Sequence, residues 1–174
     1  DEDEELLKRL RDLIREVRDR VRRLLEEDKD SLRRIRERVE ELLRRSEESL
    51  KDLEKKIREG SPEEEIERLL REHEELNKRV LDEIRKLAED NRDLTRRIKE
   101  KVEELIERVR DALRKLTPSE ELKKIADKVE EVLREVEKEL DKSRRTSDEI
   151  LKKVEKAVRD LDRRVKEVID RARR

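Results

Sequence analysis

Aliphatic side chains recur along this sequence at intervals of 18 residues. Eighteen residues make five turns of an α-helix with 3.6 residues per turn, so the recurring side chains share one helical face. A heptad repeat predicts a left-handed supercoil and an 11-residue repeat a right-handed one. Because this repeat lies between the two, it predicts long helices that are nearly straight. Examples are Val17, Ile35 and Leu53, then Ile66, Ile84 and Val102, and finally Val132, Ile150 and Val168.

Two short segments are the places where the sequence favours a turn. The 174 residues include one Gly and two Pro, and these fall in segments 60–62 and 117–119. Loops this short require successive helices to pack antiparallel. The sequence therefore predicts an all-α fold in which one domain, residues 1–174, is a long up-down-up three-helix bundle. The predicted helices cover about residues 3–59, 62–116 and 118–174.

The same two segments contain residues that commonly cap helices. Gly60 can adopt the left-handed conformation that ends many helices, so we expect it to be the C′ residue of the first helix. Ser61 is predicted as the N-cap of the second helix, with Glu64 placed to complete a capping box. Thr117 and Glu120 have the same spacing and are predicted to cap the third helix in the same way.

The composition excludes several classes of protein. Charged residues make up 60% of the chain, yet the formal net charge is −1 and the aliphatic residues are periodic, which argues against disorder. Positive and negative side chains are interleaved throughout, so no basic surface for nucleic acid is predicted. The absence of long apolar runs predicts no membrane span, and the absence of Cys excludes disulfides. The compartment stays unknown; we expect a soluble protein that remains in the cytoplasm if a cell expresses it.

Polar side chains interrupt the aliphatic face in two groups. On the middle helix, His73 with Asn77 and Asn91 with Thr95 are each spaced i, i+4, so the members of a pair lie one turn apart. Folding the helices antiparallel at their loops brings polar residues of the other helices opposite these pairs. The first predicted polar level contains Asp28, Ser31, Asn91, Thr95, Ser143 and Ser147. The second contains Ser46, Ser49, His73 and Asn77, and there the third helix is expected to contribute Leu161 and Val165.

Hydrogen bonding explains why these polar residues are grouped. A buried donor or acceptor without a partner costs about 1–3 kcal/mol, and neighbouring polar side chains can satisfy one another. Thr95 is expected to meet Ser143, and Asn91 should bond to at least one of Ser31, Ser147 or Asp28. Such layers can also specify the register of the helices.

Catalytic and metal sites are not predicted from these residues. His73 is the only histidine and there is no Cys, so a metal ion would lack its usual further ligands. Asp28 could act as a general base, but a closed bundle has no predicted cleft, and a structural hydrogen-bond acceptor is the preferred interpretation. The level that holds Asp28 has no histidine, and the level that holds His73 has no predicted acid, so a Ser-His-Asp triad is not expected. No cofactor is expected.

Burial is predicted to set the protonation of His73. Removing the imidazole from water disfavours its charged form, so its pKa should lie below the ordinary value. Neighbouring acidic residues act in the opposite direction, but we expect them to point into solvent.

The whole chain resembles de novo designed, parametrically generated single-chain helical bundles with buried hydrogen-bond networks. The features that carry the resemblance are the 18-residue repeat, the GSPEE and TPSEE loops, the Leu/Ile/Val core and the Glu/Lys/Arg surface. This resemblance implies a coiled-coil-like structural scaffold with no substrate. Natural three-helix repeats such as spectrin differ, because they use aromatic core residues and heptads.

A helix-mediated interaction module is the alternative interpretation. In that case the bundle would self-associate or bind a partner helix, and displacement of its third helix is one way in which it could do so. The third helix is terminal and is expected to be absent from the second polar level, which makes it the most displaceable. The preferred expectation is a monomer that requires no partner, with self-association left open.

Overall fold

Three α-helices make up most of the protein. The computed structural model describes residues 2–173, with α1 at Glu2–Arg58, α2 at Glu63–Arg114 and α3 at Glu120–Ala172. Their lengths are 57, 52 and 53 residues. Leu, Glu, Lys and Arg dominate all three, and these residues have high intrinsic helix propensity. The ends agree with the sequence prediction to within the one or two residues by which helix boundaries commonly vary.

A Schellman motif ends α1. Gly60 has a φ of 72°, and its N–H donates to the Ile57 carbonyl at 3.2 Å. The N–H of Ser61 donates to the Lys56 carbonyl at 3.1 Å. These two bonds satisfy carbonyls that have no partner further along the helix. Gly60 therefore has the left-handed conformation expected of a C′ residue.

The start of α2 follows at once. The N–H groups of Glu65 and Ile66 both donate to the Pro62 carbonyl, at 3.0 and 3.2 Å. Glu64 lies in the first turn together with two other glutamates. Carboxylates are favourable there because the N-terminus of a helix carries partial positive charge.

The start of α3 differs from the sequence prediction. Thr117 was expected as the N-cap and Glu120 as the third helical residue, but α3 begins at Glu120. The Ser119 hydroxyl accepts a hydrogen bond from the N–H of Leu122 at 3.2 Å, and the Ser119 carbonyl accepts one from Lys123. Ser119 is therefore the N-cap. Pro118 fits just before the helix as well as inside its first turn, so the sequence pattern alone could not separate the two positions.

The chain divides into two compact units. The first unit consists of Asp1–Leu32 and Asn91–Arg145, and so contains a segment of each helix. Its core is made of Leu, Ile and Val side chains from all three segments. The buried members include Leu10, Ile98, Val102, Ile106, Val109, Val136 and Leu140.

The second unit consists of Arg33–Asp90 and Thr146–Arg174. Two aliphatic clusters form its core, and each again draws on all three helices. One is centred on Leu42, Val80, Ile84, Val154 and Val158. The other contains Leu50, Leu53, Leu161 and Val165, so the two residues predicted to lie opposite the second polar level are buried there.

Contacts within each unit give the directions of the helices. In the second unit, Lys56 pairs with Glu65 and Arg38 with Glu83, so α1 and α2 run antiparallel. In the first unit, Arg11 pairs with Glu121 and Asp28 with Ser143, so α1 and α3 run parallel. This is the up-down-up order predicted from the short loops.

Charged side chains cover the outward faces. Pairs such as Arg45–Glu41 at 2.6 Å and Arg114–Asp111 at 2.7 Å join successive turns of one helix. Exposed pairs of this kind contribute only about 0.3–0.5 kcal/mol each. Within residues 2–173, no helix has the length and apolarity needed to cross a membrane.

The cap of α3 gives a direct test of its start. Replacing Ser119 by Ala should lower the free energy of unfolding by about 1 kcal/mol, because the Leu122 N–H loses its acceptor. Thr117→Ala is the matched control and should change stability by less than half as much. Guanidinium unfolding of the two variants measures both values, and a larger loss for Thr117→Ala would restore the capping box predicted from the sequence.

Candidate functional site

Five polar side chains of the second unit form what we term the His73 cluster. Ser46 and Ser49 come from α1, His73 and Asn77 from α2, and Asp162 from α3. Ser46 and His73 are fully buried and Asn77 is 3% exposed. The i, i+3 and i, i+4 spacings within α1 and α2 place each pair on adjacent turns of one face.

Asn77 is the centre of this cluster. Its Oδ1 accepts a hydrogen bond from the Ser46 hydroxyl. Its Nδ2 donates to Asp162 Oδ1 at 2.8 Å and lies 3.3 Å from His73 Nε2. A carboxylate only accepts hydrogen bonds, so Asp162 orients the Asn77 amide with its nitrogen towards α3.

This orientation sets the tautomer of His73. Because the Asn77 nitrogen donates, His73 Nε2 must accept and therefore carries no proton. The neutral ring then has its proton on Nδ1, which donates to Ser49 Oγ at 3.1 Å. Both ring nitrogens are satisfied, as buried imidazoles require.

The participation of Asp162 corrects the sequence analysis. The second polar level was expected to draw on α1 and α2 alone, without an acid, but α3 contributes a half-buried carboxylate next to the buried Leu161. Asp162 lies on the flank of the aliphatic stripe, among many charged flank residues. The sequence contained one indication of this contact. The antiparallel alignment of α2 and α3 places Asn77 opposite Leu161, so the adjacent Asp162 is close enough to reach Asn77.

Burial lowers the pKa of His73 below its ordinary value of 6.5, because desolvation penalises the imidazolium. The negative charges of Asp162 and Glu74 raise the pKa by less. Protonation of Nε2 would also point a second donor at the Asn77 nitrogen. The cluster is therefore built for neutral histidine.

Five polar residues of the first unit form the Asp28 cluster: Asp28, Ser31, Asn91, Thr95 and Ser143. Asp28 is 5% exposed, and its Oδ1 accepts a hydrogen bond from the Ser143 hydroxyl at 2.8 Å, which joins α1 to α3. Burial raises the pKa of Asp28 above its ordinary value of 3.8. The Ser143 hydrogen bond opposes this shift by a smaller amount, and the charge of Glu139 adds to it.

Asn91 joins α2 to α1 within the same cluster. Its Nδ2 donates to Ser31 Oγ at 3.3 Å, which is one of the three partners expected from the sequence. Its Oδ1 is buried and has no hydrogen-bond partner among the described residues.

Two other predicted members are placed differently. Thr95 was expected to meet Ser143, but its hydroxyl donates to the Arg92 carbonyl of its own helix at 2.9 Å. Threonine often bonds back in this way inside helices, which removes its need for a partner on another helix. Ser147 is buried in the second unit, and its hydroxyl has no partner among the described residues.

The His73 cluster contains the residue types of a hydrolase triad, but its hydrogen bonds have the wrong polarity. A catalytic serine donates its proton to an unprotonated histidine nitrogen. Here the nitrogen next to Ser49 carries a proton, and the other nitrogen accepts from Asn77. The arrangement can hold three helices together, but it cannot activate the serine. Within residues 2–173, no group of three His, Cys, Asp or Glu side chains is placed to hold a metal ion.

Comparisons with known proteins agree with this architecture. No protein-family model and no curated protein matches the chain. A solved structure described as a "Computationally designed three helix bundle" superposes with a TM-score of 0.59 and 21% sequence identity. The match covers 99% of this chain and 79% of the other. The protein is a three-helix bundle. At this identity the likeness concerns the fold of the bundle and not any activity.

The His73 cluster predicts a pH dependence of stability. The unfolded imidazole binds a proton as the pH falls below about 6.5, whereas the folded one resists it because its pKa is lowered. The contribution of neutral His73 to the free energy of unfolding is thus fully present above the pKa of the unfolded state. It is lost as the pH falls towards the pKa of the folded state. The loss should be at most a few kcal/mol, since one pKa unit is worth about 1.4 kcal/mol.

His73→Gln is the control for this effect, because glutamine does not titrate. Guanidinium unfolding of both proteins at pH 7 and pH 5 should show the larger loss in the parent. Equal losses would mean that His73 is not a buried neutral group.

The buried carboxyl of Asp28 should make the free energy of unfolding depend on pH in the opposite direction. Its folded pKa is raised, so the folded state binds a proton more readily than the unfolded state, and the carboxylate costs stability above the folded pKa. Asp28→Asn should therefore be more stable than the parent at pH 7, by on the order of 1 kcal/mol, since each unit by which a pKa is raised is worth about 1.4 kcal/mol. The difference should vanish near pH 3, where the carboxyl is protonated in both states. A variant that is less stable at pH 7 would show that the ionised carboxylate is stabilising.

Proposed function

We propose that the protein is a de novo designed scaffold without natural biochemical activity, in which two buried polar clusters specify how the helices pair. The main observation in support of this proposal is that the Asn77 side chain forms hydrogen bonds to two other helices at the same level, to Ser46 of α1 and to Asp162 of α3. The fold shared with a designed bundle supports the same interpretation.

The physical basis is the cost of a mismatch. If one helix of the second unit moved by a turn, Asn77 and His73 would face aliphatic side chains of the other helices, such as Leu50 of α1 or Val165 of α3. Each buried donor or acceptor without a partner costs about 1–3 kcal/mol. Aliphatic packing alone discriminates less, because Leu, Ile and Val recur at every turn and similar residues would replace one another.

The alternative of an interaction module, opened by displacement of α3, has less support. The choice of α3 as the displaceable helix rested on its terminal position and on its expected absence from the second polar level, but α3 contributes Asp162 there. In the first unit, α3 also contributes Ser143, which donates to Asp28. Displacing α3 would leave both carboxylate contacts broken.

An aliphatic version of the His73 cluster tests the proposal. The variant combines Ser46→Ala, His73→Leu, Asn77→Leu and Asp162→Leu. We expect its free energy of unfolding to be equal to the parent's or up to about 4 kcal/mol higher, because buried polar groups often cost stability. Its amide NMR spectrum should nevertheless show more than one set of signals, from alternative helix pairings.

Two measurements complete this test. Asp28→Asn serves as the control, since it leaves the His73 cluster intact and keeps an amide oxygen that accepts from the Ser143 hydroxyl. Both clusters stay polar in this variant, so it should keep one set of signals. Sedimentation equilibrium at micromolar concentration accompanies the spectra, because self-association also multiplies signals. A parent mass well above 21.3 kDa would favour the interaction module. A monomeric variant with a single set of signals would show that the polar cluster does not specify pairing.

A further inference from the structure

A groove in the first unit combines an apolar interior with a cationic rim. It lies between α1 and α3, encloses about 550 Å³, and reaches down to Ile106 and Val109 of α2. Both of these floor residues are 1% exposed, so the groove extends to the core. The walls are aliphatic and rich in valine: Ile14, Val17, Val21 and Leu25 on α1, and Ile125, Val129 and Val132 on α3.

The rim carries positive charge on both sides. Arg11, Arg15, Arg18 and Arg22 follow one another at i, i+4 and i, i+3 spacing and therefore lie on one face of α1. Lys128 of α3 lies on the rim with them. Within the described residues, no Asp or Glu side chain lines the groove. Glu121 pairs with Arg11 at 3.5 Å, but both side chains are more than half exposed, which weakens the pair.

This charge distribution differs from that of a neighbouring groove. Another groove of the same unit is lined by Arg20, Arg23 and Lys101, but also by Glu27 and Glu104. Mixed charges are what a surface of interleaved Lys, Arg and Glu produces. A rim with cations alone leaves like charges near one another, and an anion would relieve their repulsion.

We propose that this groove binds a free fatty acid anion. The tail would lie along the aliphatic walls, and the carboxylate would be held at the rim by Arg15 and Arg18, whose guanidinium groups suit two-point pairing with a carboxylate. The lining of α1 from Arg11 to Leu25 is about 21 Å long at 1.5 Å per residue, which accommodates an extended acyl chain. The volume falls within the roughly 300–1,000 Å³ of small-molecule sites. A second copy of the chain fits less well, because its surface mixes both signs of charge.

Titration calorimetry with laurate, below the concentration at which it forms micelles, tests the proposal. The parent should bind one laurate per chain. Arg15→Glu combined with Arg18→Glu should weaken binding about tenfold or more, since two attractive charges become repulsive. Arg20→Glu combined with Arg23→Glu is the matched control: it makes the same change of net charge on the same helix, away from this groove. The control should bind laurate to within about twofold of the parent, which separates local from global electrostatics.

Two further measurements locate the ligand and identify its chemistry. Dodecyltrimethylammonium has a similar tail with a cationic head, and it should bind the parent at least about tenfold more weakly than laurate. In isoleucine methyl NMR spectra, laurate should move the signals of Ile14, Ile106 and Ile125, which line the groove, and leave Ile84 of the second unit unchanged.

Several outcomes would overturn the proposal. They are no laurate binding by the parent, equal loss of binding in both charge-reversal variants, equal binding of the cationic amphiphile, or methyl shifts outside the groove. A doubling of mass on adding laurate would show that a second copy of the chain occupies the groove. Thermal unfolding of each variant without ligand shows that it is folded, and exposed Arg→Glu changes of this kind should alter stability little.

Discussion

Burial of one aliphatic face on each helix is the interaction on which the rest of this structure depends. A fully buried Leu, Ile or Val contributes about 1.5–3 kcal/mol, whereas an exposed ion pair contributes about 0–1 kcal/mol. The charged residues are far more numerous, but they contribute chiefly helix propensity and i, i+4 pairing. Within each unit, segments of α1, α2 and α3 pack together because a single helix cannot bury its own aliphatic stripe from water.

Burying polar side chains in this aliphatic core has an energetic cost that depends on how fully their hydrogen bonds are satisfied, and we propose that the clusters increase the specificity of packing. Asn77 shows how the cost is limited: its carbonyl and both hydrogens have partners, so the amide is buried at little net expense. Asp28 shows the residual cost, since burial raises the pKa of its carboxyl although the Ser143 hydroxyl donates a hydrogen bond to it. Asn91 lies between these cases, with its nitrogen bonded and its oxygen unpaired among the described residues.

The core contains no aromatic side chains, because the sequence has none. In the first unit, the lining of the groove with the cationic rim includes Val17 and Val21 of α1 and Val129 and Val132 of α3, whose side chains are smaller than Leu or Phe. Interiors normally pack without such voids. The proposed fatty acid site and the polar clusters are therefore independent features, because the groove lies among aliphatic side chains that take no part in hydrogen bonding.

The sequence by itself determined the positions of the three helices, the left-handed Gly60, the aliphatic faces and most of the buried polar residues. These follow from local propensity and from the 3.6-residue period, which relate each residue to its neighbours along one helix. Only the tertiary structure decided that Asp162 joins Asn77, that Thr95 bonds within its own helix, and that His73 carries its proton on Nδ1. Periodicity specifies the face on which a side chain lies, but not its rotamer or the rotation of the neighbouring helix. Asp162 lies on the flank of its stripe, and it becomes a partner only when its rotamer and the rotation of its helix together bring the carboxylate within hydrogen-bonding distance of a donor on another helix.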